Sequence, residues 1–131
     1  MGAAENADLV RRGYEAFNTA DMETLTALFA EGAAWHTPGK GPLAGDRTGK
    51  DAVFGLFGEY GGQTAGTFRA ELKQVAADDD GLVVGIHQNT GERDGKRLDV
   101  RCALVFKVEG GQIVDGREHF NELDAWDEFW S

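Results

Sequence analysis

Cysteine is almost absent. Cys102 stands alone among 131 residues, which excludes an internal disulfide and a cysteine-based zinc site and makes a reduced, cytoplasmic setting the simplest expectation. Proline is as scarce: Pro38 and Pro42 are the whole supply and share one stretch, so little interrupts regular structure elsewhere. Basic residues are outnumbered, 13 Lys and Arg against 23 Asp and Glu, for a formal net charge of −10. No basic run breaks that acidity, and such a chain repels phosphate backbones and anionic surfaces, so neither nucleic acid nor membrane is an expected partner. Long apolar runs are missing too. Nothing approaches the roughly 18 apolar residues of a membrane helix, and Met1 to Ala7 lack the basic start and apolar core of a signal peptide. What remains has the length of a single domain over residues 1–131, enough to bury about two thirds of its unfolded surface.

Hydrophobic spacing divides the chain. Val10, Tyr14 and Phe17 repeat at helical spacing between Ala7 and Asn18, with Leu9 widening the stripe and Arg11, Arg12 and Glu15 on the other face. Asp21 is placed to cap a second helix whose stripe is Met22, Leu25, Leu28 and Phe29, ended by Gly32. A short strand is expected over Ala33 to Thr37, since Pro38 favours an extended residue before it. Residues 38–49 hold both prolines and four glycines and read as a loop suited to a lid. Lys50 to Gly58 returns to helical spacing, with Gly61 and Gly62 as terminators. The period then changes to two: strands are expected over Phe68 to Lys73, Leu82 to Thr90, Arg97 to Val108 and Gln112 to Phe120, joined by turns at Asp78 to Gly81, Asp94-Gly95 and Gly110-Gly111. Helix, helix, short strand, helix and four consecutive strands predict an α+β domain with an antiparallel sheet curled around helices. The tail to Ser131, rich in aromatics and carboxylates, is expected to be tied down and to close a pocket.

The runs LVRRGYEAFNTAD, LFAEGAAWHTPG, GKDAVFGLF and the closing DEFW resemble the SnoaL-like and ketosteroid-isomerase-like families of the nuclear transport factor 2 (NTF2-like) superfamily. The resemblance covers nearly the whole chain. It implies a cone-shaped half-barrel plugged by three N-terminal helices, an apolar internal pocket, no cofactor, and often a homodimer through the outer face of the sheet. The superfamily holds isomerases, cyclases, epoxide hydrolases, dehydratases and non-catalytic binding modules, so fold alone does not name the reaction. The ketosteroid isomerase base position matches Thr37, and the oxyanion-donor positions match Gly13 and Cys102, with Tyr14 turned about 100° from the first. The acid of SnoaL-type cyclases matches Asn121, beside Glu122.

Three residues are candidates for acid/base chemistry. His36 lies at the edge of the lid stretch, where an imidazole suits proton transfer; the alternative is a surface histidine bonded to the loop. His87 shares a strand face with Val83, Gly85 and Asn89, and faces either a cavity or a subunit interface. Glu118 falls in the row Val114, Gly116, Glu118, Phe120, read as inward, which would bury a carboxyl; the alternative is an ion pair with Arg101 or Arg117. Cys102 is a packing residue or a weak donor. Phe17, Trp35, Phe54, Leu104, Phe106 and Trp126 are core, and some of them should line a site for an apolar small molecule. Tyr14, Thr37, Phe120 and Asn121 complete the expected lining. No HxH, HxxxH or HExxH spacing supports a metal. The expected function is acid/base chemistry, by isomerisation, cyclisation or hydrolysis, on an apolar cyclic or carbonyl substrate. The alternative is a non-catalytic ligand-binding or dimerisation module.

Overall fold

The computed structural model describes residues 2–131. Helix α1 spans Ala3–Asn18, starting earlier than its apolar stripe because the Ala3 amide donates to the Asp79 carboxylate at 2.8 Å. Asp21 caps α2 (Met22–Leu28) by accepting from the Thr24 amide at 3.2 Å. The chain straightens at Phe29, not at Gly32: Phe29 has extended dihedrals and opens β1 (Phe29–Thr37). Within the expected lid lies a short strand, β2 (Gly45–Thr48), paired with β1. Helix α3 runs Lys50–Gly62, a turn beyond Gly58. Strands β3 (Arg69–Ala77), β4 (Leu82–Arg93), β5 (Lys96–Glu109) and β6 (Gln112–Phe120) follow, and the tail forms a fourth helix, α4 (Leu123–Trp130).

The six strands make one curved, unclosed sheet in the order β2-β1-β6-β5-β4-β3, giving the expected α+β half-barrel. The sheet is mixed, not wholly antiparallel, because β1 runs parallel to its neighbour β6. Three inward rows matter. Trp35, Gly116, Phe106 and Val83 align across β1, β6, β5 and β4; Glu118, Leu104 and Gly85 form the next row; Phe120, Cys102 and His87 form the third. A bulge opposite Lys107/Val108 resets β6, so buried Ile113 takes the inward place expected of Val114. Helix α1 packs across β3 and β4, α3 against β1, and α4 against β5 and β6. Among the described residues no helix is long and apolar enough to cross a membrane.

Candidate functional site

Helices and sheet enclose a narrow cavity of about 60 Å³. Its wall is largely aromatic. Tyr14 and Phe17 come from α1, Phe57 and Tyr60 from α3, and Trp35, Phe68 and Phe106 from the sheet side. Two glycines let rings lie close to the sheet. A Cβ on Gly85 would come within 2.8 Å of the Tyr14 hydroxyl, and one on Gly116 would overlap the Trp35 ring.

Into this apolar space the sheet projects two polar groupings. Glu118 is only 4% exposed, and one oxygen, Oε1, takes every hydrogen bond it makes: from Thr37 Oγ1 at 2.6 Å, Tyr60 Oη at 3.1 Å and Trp35 Nε1 at 3.3 Å. Among the described residues Oε2 has no protein partner. Burial pushes the carboxyl up, the three hydrogen bonds and the more distant Arg47 charge pull it down, and the balance leaves its pKa at about 7. Neither Arg101 nor Arg117 meets it; both are exposed, and its partners are neutral donors. The second grouping lies two strands away, a lateral offset of about 10 Å. There Tyr14 Oη and His87 Nδ1 stand 2.6 Å apart. Burial lowers the His87 pKa to about 4 against the opposing pull of the nearby Asn89 side chain, so the ring is neutral at physiological pH. Burial raises Tyr14 and Tyr60, which therefore remain phenols.

The other expected residues are scattered. Leu104 and Phe106 line the cavity with Tyr14, Phe17 and Trp35. Thr37 stands behind Glu118 as its shortest donor. Cys102 is fully buried in the third row, its thiol held protonated by burial, and it packs. Phe54 packs on Phe29 and Phe57 outside the lining. Phe120 stacks on Trp126 with ring centroids 4.0 Å apart, beneath the tail helix. Asn121 lies outside the cavity, exposed, and its side-chain oxygen accepts from the Arg101 amide at 3.2 Å.

His36 does not reach the cavity. Strand alternation sends Trp35 and Thr37 inward and His36 outward, where Nδ1 meets Asp46 and Nε2 meets Asp115, each at 2.8 Å. Partial burial disfavours its charge, but the two carboxylates outweigh that and hold its pKa above the usual value. Those carboxylates sit at opposite ends of the ring and do not converge on a point, and among the described residues no His, Cys, Asp and Glu cluster is arranged to hold a metal.

The sequence pattern does not single out Tyr60 or Asn89 as site residues. Tyr60 continues the stripe Val53, Leu56 at helical spacing, concealed by the glycines around it. Asn89 shares the His87 face, and its inward position follows once that face is known to be concave.

A family model for the SnoaL-like domain matches residues 10–116. The chain belongs to the SnoaL-like family. Its fold matches that of Bal32a, from a soil-derived mobile gene cassette, with TM-score 0.97 and 60% identity over 98% of both chains. It is 36% identical over 124 residues, 95% of each chain, to the uncharacterized protein Rv0034 of Mycobacterium tuberculosis. An NTF2-like protein from Burkholderia xenovorans shares the fold at TM-score 0.83 and 20% identity, covering 100% of this chain and 99% of that one. In this SnoaL-like chain Thr37 on β1 donates to the Glu118 carboxyl of the adjoining strand β6.

Proposed function

We propose that the chain is a small-molecule enzyme performing acid/base chemistry on an apolar cyclic or carbonyl-bearing substrate in the internal cavity, with Glu118 as the proton-transferring group. One observation carries this reading: a carboxyl with pKa about 7 whose Oε1 is saturated by three donors, leaving Oε2 for a ligand. Near neutral pH such a group is present in both protonation states, which suits both removal and return of a proton. As carboxylate, Oε2 takes a proton from carbon adjacent to a carbonyl, and the C–H electron pair moves toward the carbonyl oxygen. As carboxylic acid, it returns that proton elsewhere on the same molecule, giving an isomerisation, or to a leaving oxygen, giving a ring opening. The neutral Tyr14–His87 pair supplies polar contact without a second charge. His36 has no part in this scheme, since it faces away.

A panel of small enolisable ketones and epoxides tests the proposal. Glu118→Gln keeps a neutral acceptor for Thr37, Tyr60 and Trp35 and should cut turnover at least about a hundredfold, the usual contribution of a positioned acid/base group. The wild-type rate should rise and level with an apparent pKa near 7. Turnover equal in Glu118→Gln and wild type removes Glu118 from the mechanism.

A second reading, a non-catalytic ligand-binding module, draws on cavity size. At about 60 Å³ the space falls short of the roughly 300–1,000 Å³ usual for small-molecule sites, so a polycyclic substrate requires ring movement. Recovery of a tightly bound ligand chemically unaltered favours that reading. Under either reading we place the protein in the cytoplasm, as a homodimer formed through the outer face of its sheet.

A further inference from the structure

Two buried side-chain polar atoms among the described residues have no hydrogen-bond partner: Trp130 Nε1 and Asn89 Nδ2. Only Asn89 lines the cavity. It is 1% exposed, and its position on β4, two residues beyond His87, follows from the inward alternation of that strand. A buried amide nitrogen left without an acceptor costs free energy, so a core asparagine in this state is either strained or waiting for a partner.

Tyr14 Oη lies 2.6 Å from His87 Nδ1, a contact either ring tautomer can make. Asn89 follows two residues on along the same inward face of β4, and its side chain favours the protonated imidazole, which sets the carboxamide oxygen rather than the nitrogen toward the ring. Among the described residues nothing engages the Asn89 nitrogen, so its hydrogens remain unused.

We infer that Asn89 is a ligand-binding residue: its side-chain amide donates to a carbonyl or hydroxyl oxygen of the cavity's ligand, about 13 Å along the strand from the row that holds Glu118. The assignment deepens the function proposed above only in taking the cavity as the ligand site, and does not depend on turnover there. It names the ligand as an apolar molecule carrying an oxygen acceptor at the end remote from Glu118.

Cyclopentanone and methylenecyclopentane, alike in size and differing in the acceptor, are probes small enough for the cavity. With ¹⁵N-labelled wild-type protein, cyclopentanone should move the Asn89 side-chain N–H resonances downfield, and methylenecyclopentane should not. Titration should show the ketone bound about tenfold more tightly than the alkene, the scale of one buried hydrogen bond. Asn89→Leu should abolish that preference by weakening the ketone alone. The same preference should survive in Glu118→Gln, which separates this inference from the catalytic proposal. A preference that persists in Asn89→Leu, or wild-type protein without either the preference or the resonance shift, overturns it. Should the variant fold poorly, the wild-type resonances decide.

Discussion

Glu118 and His87 are buried within one cavity, yet burial displaces them in opposite directions because one is charged when it loses a proton and the other when it gains one. The carboxyl rises from 4.5 to about 7 and the imidazole falls from 6.5 to about 4. Between pH 4.5 and 7 the folded chain holds a proton on Glu118 that the unfolded chain releases, so this group's contribution to stability is present below 4.5 and lost as pH rises through 7. For His87 the unfolded chain holds the extra proton, and its contribution is lost as pH falls from 6.5 through 4. Across their shared window the two slopes oppose each other. Removing one exposes the other: Glu118→Gln should gain on wild type as pH rises, reaching on the order of 3 kcal/mol by pH 8 at about 1.4 kcal/mol per pKa unit, and its own stability should increase from pH 4 to 6.5. His36 titrates in both proteins and cancels from the difference. Urea unfolding of the pair at pH 4.5, 6 and 8 measures this, and parallel curves would mean that the carboxyl ionises at its ordinary value.

The segment between β1 and β2 shows how elements far apart in sequence fasten one another. Its prolines and glycines suit a lid, and its tip is tied to the tail: Asp127 on α4 accepts from the Lys40 amide at 2.9 Å and the Gly41 amide at 3.1 Å. Its far end is held by β2 pairing, by Arg47 donating to the Leu43 carbonyl at 3.0 Å, and by His36 bridging to Asp46. Asp127→Ala should therefore speed hydrogen exchange of residues 39–44 while leaving β4 and β5 protected, at a cost of about 1–2 kcal/mol for two lost charge-assisted bonds. Unchanged exchange in that segment would show the latch to be idle. The same elements mark how far the sequence could be read. Alternation in β4 and β5, and the Asp94-Gly95 turn between them, determined those strands locally. The four residues of β2, one glycine and three polar side chains, have no apolar pattern, and only pairing with β1 makes them a strand. Helix α4 carries Trp126, Phe129 and Trp130 at helical spacing, but at 8 residues it is too short to hold alone, so its order comes from packing on Tyr60 and Phe68. The acid/base groups of the candidate site were legible where a polar residue interrupted an apolar row. That singled out His87 and Glu118, whereas the Thr37–Glu118 contact joins residues 81 apart in sequence.

At the scale of the molecule, the sheet has a second face. Its helices pack on β1, β3, β4, β5 and β6, while on the outside of β4 and β5 the register places Ile86 beside Ala103 and Val84 beside Val105, all partly exposed, with Leu82 44% exposed nearby. Asp99, Arg101, Lys107 and Arg117 surround this apolar strip with both signs of charge. A two-fold axis through such a strip would bring apolar rows together inside a charged rim, the anatomy of a self-complementary interface. The formal charge of −10 per chain opposes the meeting of two copies, but over distances that salt shortens to about 8–10 Å near physiological ionic strength. Association should therefore tighten between 10 mM and 150 mM salt, the reverse of a complex held by attraction of opposite net charges. Light scattering at micromolar concentration should give twice the mass of the chain at 150 mM salt. Ile86→Lys should halve it without lowering the melting temperature of the isolated chain, because the side chain faces outward. A wild-type mass of one chain at every salt concentration would leave the outer face without the proposed partner.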